Sequence, residues 1–168
     1  VSHFSLPAFD EGCAPEMAPG ESIKSNKFLL NKPSVLMSKL NPRIPRIWNV
    51  PVAPEQMALA STEFVVLEPL AVSSSALWAC LAHPVVSATL TGKVAGTSGS
   101  HQRVKPAEVL ALDVLDPRTL APAALESIAA LGLIGHARRA ESAVLAETRD
   151  ALLPGLMSGK IRVKDAER

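Results

Sequence analysis

Apolar positions in the first two thirds of the chain come in short runs, none longer than a strand or a short helix needs. Val35-Leu36-Met37 and Ile47-Trp48-Asn49-Val50 are two such runs, each predicting a strand. Thr62-Glu63-Phe64-Val65-Val66-Leu67, β-branched and aromatic and ended by Pro69, predicts a third. Between the first two lies Ser38-Lys39-Leu40-Asn41-Pro42-Arg43-Ile44-Pro45-Arg46, whose two prolines forbid a helix and keep the segment extended and exposed. Ser73-Ser74-Ser75 offers an N-cap for a helix to about Ala82. Pro84 opens a second short helix to about Thr91. The Gly/Ser/Thr run over 92–99 reads as a flexible loop, and Val109–Val114 as a last short strand. Residues 1–22, punctuated by Pro7, Gly12, Pro15, Pro19 and Gly20, read as loop.

From about Pro117 the pattern changes. Leu120–Leu153 is rich in Ala, Leu and Glu, and Leu125, Ile128, Leu131, Ile134, Ala137, Val144, Thr148 and Leu152 recur mostly at spacings of three or four. A long helix is predicted, weakened in its middle by Gly132 and Gly135 and stopped by Pro154-Gly155. At 1.5 Å per residue it would span about 50 Å, which suits a protruding arm or half of a coiled-coil pair better than a helix packed along one domain. The expected organisation is a domain over 1–116, the helix over 117–153 and a charged tail over 154–168. The fold class that follows is α+β, a small mixed sheet with short helices and then a long C-terminal α-helix.

Composition narrows the function classes. The 168 residues are 48% hydrophobic and 20% charged, which excludes wholesale disorder, and the 4% of aromatics leaves a core of Leu, Val, Ile and Ala. Seventeen basic residues against sixteen acidic give a net charge of +1, so a globally basic nucleic-acid binder is excluded. Local segregation is not. The four acids before Lys24 (Asp10, Glu11, Glu16, Glu21) are followed by Lys24, Lys27, Lys32, Lys39, Arg43 and Arg46 with no acid among them. Cys13 and Cys80 make no disulfide framework, which fits a reducing compartment. Cys80-x-x-His83 lacks the second pair a tetrahedral metal site needs. No apolar run reaches the ~20 residues of a membrane span, and no signal peptide opens the chain.

Signs of catalysis are missing from the sequence. There is no phosphate loop with a following Lys-Ser/Thr and no Gly-x-Ser-x-Gly elbow. His3, His83, His101 and His136 stand singly, and each reads first as structural. A binding role has better support. One polar loop carries Lys39, Asn41, Arg43 and Arg46, and another carries Ser98, Ser100, His101, Gln102, Arg103 and Lys105. Arg and Lys contact phosphates or the guanine O6/N7 edge, and Asn and Gln pair with adenine. The plainer alternative is a solvated basic face.

Several segments carry a family resemblance. Pro7-Ala8-Phe9-Asp10-Glu11-Gly12, Ile23-Lys24-Ser25-Asn26-Lys27 and Ser38–Trp48 resemble the target recognition domain of type I restriction–modification specificity subunits. Ala60-Ser61-Thr62-Glu63-Phe64, Gly96–Val104 and the ending Leu152–Val163 continue the likeness in order. The resemblance implies a DNA-reading subunit with no catalytic site of its own. It implies partners, a methyltransferase subunit using S-adenosylmethionine and a restriction–translocase subunit using ATP and magnesium, while the chain itself takes no cofactor and no metal. A complete subunit of that family has two recognition domains and two spacer helices, and this chain has one of each, so it resembles the second half of such a subunit with its N-terminal edge cut off. A remnant, a split half-subunit and a mis-assigned start all fit.

Sequence-specific recognition of duplex DNA in the cytoplasm is therefore the expected function. The DNA-contacting candidates are Lys39, Asn41, Arg43, Arg46, Ser98, Ser100, His101, Gln102, Arg103 and Lys105. Leu125, Ile128, Leu131, Ile134, Val144 and Thr148 are the candidates for packing on a partner helix, with self-association as one outcome. The alternatives are a half-subunit that only binds the methyltransferase subunit, and a nuclease, which the lack of a metal-binding carboxylate cluster disfavours.

Overall fold

A computed structural model describes residues 1–51, 57–93 and 102–162. The fold is α+β. In the globular part, β1 (Ser2–Phe4), β2 (Glu16–Met17), β6 (Ala58–Ser61) and β3 (Lys27–Leu30) form a four-stranded sheet in the order β2-β1-β6-β3. β1 runs parallel to β6, and the other pairs are antiparallel. A second sheet has the order β5-β4-β7, all antiparallel, from β4 (Ser34–Ser38), β5 (Ile47–Val50) and β7 (Phe64–Leu67). The helices are α1 (Leu6–Asp10), α2 (Ser74–Leu81), α3 (Pro84–Lys93), α4 (Pro106–Leu110) and α5 (Pro122–Met157).

β4 explains the layering. Its five residues are all buried, so both of its faces are covered. Leu36 on one face joins Phe4, Leu30, Trp48, Val50, Ala58, Ala60 and Phe64 in a core between the two sheets. Val35 and Met37 on the other face join Leu81, Val86, Leu90, Val104 and Val109 under the short helices. The three-stranded sheet is thus the middle layer. Burying a side chain such as Trp48 or Phe64 is worth about 1.5–3 kcal/mol, and these aromatics set the first core. Phe4 and Phe9 both meet the Trp48 ring edge-on, at centroid distances of 4.9 and 5.6 Å.

Several sequence expectations are corrected here. Residues 1–22 are not all loop: β1, α1 and β2 lie there, with Ser5 Oγ accepting from Ala8 N at 3.2 Å as the cap of α1. The run at 62–67 does not make one strand, because Thr62 and Glu63 turn the chain between β6 and β7. Val109–Val114 is not a strand. Pro106 starts α4 there, and Glu108 Oε2 accepts from Lys105 N at 2.7 Å; Val109 then faces the helical core rather than a strand neighbour. Pro154 does not stop α5, which runs to Met157. A proline removes one helical hydrogen bond, and the end is closed instead by Gly159 at φ 71° and by Ile161 N donating to Gly155 O at 3.1 Å.

The chain divides into two compact units, Val1–Gly132 and Leu133–Arg168. The first turns of α5 therefore belong to the globular unit. Gly132 comes so close to Ser75 of α2 that a methyl group on it would fall on Ser75 Oγ and lie 2.7 Å from Ser75 Cβ. In the second unit the helix carries exposed Leu133, Ile134, Val144, Leu145, Leu152 and Met157. Among the described residues, no helix is long and apolar enough to cross a membrane.

Candidate nucleic-acid interface

The loop after β4 is tightly held. Ser38 N donates to Arg46 O at 3.0 Å, closing the excursion, and Ser38 Oγ both accepts from Leu40 N and donates to Leu40 O. Asn41 takes the left-handed region at φ 50°, which Asn tolerates better than most residues. That conformation starts a turn in which Ile44 N donates to Asn41 O at 2.9 Å. Pro42 is buried, and its carbonyl accepts from Ser87 Oγ of α3 at 3.0 Å. Arg43 is left exposed at the tip.

The second loop returns beside the first. Asn41 N donates to Gln102 O at 2.9 Å, Val104 N donates to Lys39 O at 2.8 Å, and Leu40 and Arg103 form an antiparallel bridge. A third segment completes the surface, since Lys39 N donates to Glu63 O at 2.9 Å in the β6–β7 turn. Lys39, Asn41, Arg43, Gln102, Arg103 and Lys105 are thereby brought together, although some sixty residues separate the two loops. Arg43, Arg103 and Lys105 are exposed, while Lys39, Asn41 and Gln102 are half-buried. Ser98, Ser100 and His101 lie outside the described residues, as do Gly96 and Gly99.

Arg46 has a different role from that expected. Its Nε and Nη2 donate to the two carboxylate oxygens of Asp10 at 2.7 and 2.9 Å, and its side chain is only 14% exposed. The hydrogen bonds from Arg46 hold the Asp10 carboxyl below its ordinary value, and Asp10 in turn raises Arg46. With Phe9 on Trp48, this pair fastens the end of α1 to the start of β5. Arg46 is committed to the fold and would have to break a two-point bond to meet a phosphate.

Arg103 is also paired. Its Nη1 donates to Glu63 Oε1 at 3.2 Å and lies 2.9 Å from Oε2. Sequence reasoning missed both carboxylates. Asp10 sits inside the Pro-Ala-Phe-Asp-Glu motif, but nothing local links it to a residue 36 positions on. Glu63 lies within a strand-like run, and its position in a turn is a matter of pairing.

The partner-helix candidates separate into two groups. Leu125 and Ile128 are half-buried, and Ile128 lines an apolar cavity of about 410 Å³ with Ala76, Cys80, Val86 and Leu120. Leu131, Ile134 and Val144 are 67%, 56% and 60% exposed. Thr148 is exposed and donates to Val144 O at 2.8 Å. Cys80 and His83 line the same cavity; burial pushes the Cys80 thiol up, and His83 Nδ1 accepts from Val85 N at 3.3 Å at the start of α3. Among the described residues no three His, Cys, Asp or Glu side chains gather as a metal site. No protein-family model and no curated protein matches this chain.

Proposed function

We propose that the chain reads duplex DNA sequence-specifically, as all or part of the specificity subunit of a type I restriction–modification complex. The observation that carries this reading is the pairing of the two polar loops through Leu40 and Arg103. It brings the backbones of Lys39 and Asn41 beside those of Gln102 and Val104, with the exposed Arg43, Arg103 and Lys105 close by in the chain. Cations alone would give only affinity; amides held among cations are the combination that base readout needs. In this reading Arg43, at the tip of its turn, contacts phosphate, and Gln102 and Arg103 face base edges. Methylation and cleavage fall to partner subunits, which bring S-adenosylmethionine, ATP and magnesium, and the complex works in the cytoplasm. The chain itself needs no cofactor.

A second reading has its own observation. Arg46 and Arg103 are both engaged by carboxylates, and the helix beyond Gly132 leaves Ile134, Val144 and Leu152 exposed. A half-subunit that only binds a methyltransferase subunit through this helix would have those features.

Titration of the full chain into a fluorescent duplex, across about 50 to 200 mM salt, separates the two. DNA reading predicts that Arg43→Ala weakens binding to every sequence and lowers the salt slope by about one unit. It predicts that Gln102→Ala flattens preference at one base position in a randomised duplex pool and leaves bulk affinity nearly unchanged. No duplex binding at low salt by the folded chain would leave the half-subunit reading.

A further inference from the structure

We propose that Glu63 is a positioning residue for base recognition, holding the Arg103 guanidinium in one orientation and screening its charge from phosphates. The inference rests on the DNA reading above and assigns a role to a residue outside the two polar loops.

Glu63 is built for holding. Its backbone N–H donates to Ser61 Oγ at 3.3 Å and its carbonyl accepts from Lys39 N at 2.9 Å, so the turn bearing it is bonded on both sides. Its side chain is about one third exposed, whereas that of Arg103 is more than half exposed. The more buried carboxylate therefore orients the more exposed cation. Oε2 is closed off from solvent and has the guanidinium as its ion-pair partner. Arg103 itself is fixed at the main chain by its bridge to Leu40.

The contact uses one end of the fork. Nη1 faces Glu63, and among the described residues Nε and Nη2 have no partner. Those two nitrogens form the side edge of the guanidinium, which matches the O6/N7 pair of guanine. An unheld Arg at this exposure would sample many rotamers and settle on the nearest phosphate. The carboxylate opposes that outcome twice, by occupying Nη1 and by placing a negative charge beside the backbone. It lowers affinity for DNA in general while leaving the bidentate edge available for one base.

The test measures bulk affinity and base preference separately. The full chain and its Glu63→Ala, Glu63→Gln and Arg103→Ala variants are titrated into a fixed mixed-sequence duplex across a salt series. Each is also used to select from a duplex pool randomised at its centre. Loss of Glu63 should tighten binding to the fixed duplex several-fold and steepen the salt slope by about one unit, as Arg103 takes up a phosphate. In the same variant, preference at one base position should fall by about ten-fold or more. Arg103→Ala should flatten that same position without steepening the slope, and adding Glu63→Ala to it should change the base profile no further. Glu63→Gln keeps the size and the acceptor, so it reads the charge effect even if the alanine variant unfolds. A folded Glu63 variant that weakens binding in parallel for all sequences, or leaves the base profile unchanged, overturns the proposal while the DNA reading stands. A wild-type chain that binds no duplex removes both.

Discussion

Gly132 and Gly135 look equivalent in the sequence, each a weak point inside a helix, yet the structure predicts opposite responses to alanine. On helix propensity alone either change stabilises α5 by about 0.8–1 kcal/mol. At Gly135 the nearest atom a new methyl would meet is Arg139 Nη1 at 4.0 Å, so the full gain is expected. At Gly132 the methyl falls on Ser75 Oγ and lies 2.7 Å from Ser75 Cβ, an atom fixed to the α2 backbone. Ser75 is 7% exposed, and its hydroxyl accepts from Asn49 Nδ2 at 3.0 Å in the interior. Accommodating the methyl means moving α5 off α2, at about 1–3 kcal/mol for overpacking. Alternatively the Asn49–Ser75 bond breaks, and leaving the buried amide unpaired costs about 1–3 kcal/mol. Set against the propensity gain, Gly132→Ala should destabilise by up to about 2 kcal/mol. Urea unfolding followed by Trp48 and Trp78 fluorescence reports the globular unit, and far-UV circular dichroism reports α5. Ser75→Gly costs stability itself but removes both clashing atoms, so in that background Gly132→Ala should reverse sign and become stabilising. Gly132→Ala as stabilising as Gly135→Ala, at an unchanged m-value, would refute the close approach of α5 to α2.

Arg46→Ala should cost about 1–2 kcal/mol, through the lost ion pair and the buried stem, and leave the salt slope for DNA unchanged, unlike Arg43→Ala. Asp10 is half-exposed, so Asp10→Asn should cost less, about 0.5–1 kcal/mol after screening. Because the folded Asp10 pKa is depressed, that difference should be fully present above the ordinary carboxylate range near about pH 4 and vanish as pH falls through the lower, folded value. A gap between wild type and Asp10→Asn that persists at the acid end of a thermal-melt series would contradict the pairing. Ser at both Ile134 and Val144 should weaken association of the full chain with itself or with a methyltransferase subunit, seen by light scattering, since each exposed apolar side chain gains about 1.5–3 kcal/mol when a partner covers it. A wild-type chain monomeric at high concentration and indifferent to such a subunit would count against that face as an interface.

Wherever the determining interactions are local, the sequence was sufficient. Ser73 capping α2 through Ala76 N, Pro84 opening α3, the β-branched runs of β4, β5 and β7, and the three-to-four spacing along α5 all act within a few residues. The first polar loop was also legible as a break in regular structure, because its two prolines cannot continue a strand or form a helix, although Pro42 and Arg46 turn inward. Tertiary structure decided the rest, by joining residues far apart in the chain. β1 is a strand because β6 lies parallel to it, from more than fifty positions away. Residues 109–114 satisfy strand propensity, but Lys105 and Pro106 start a helix there and Val109 finds its burial under α3. Arg46 and Arg43 are indistinguishable in sequence. One meets Asp10 because α1 packs beside β5, while the other stands at the tip of a turn pinned by Ser87. Glu63 gains its partner only when the loop at 102–104 returns against Lys39. Charge and periodicity locate a surface, but which cations on it are neutralised depends on the carboxylates that chain closure brings to them, and no spacing rule encodes that closure.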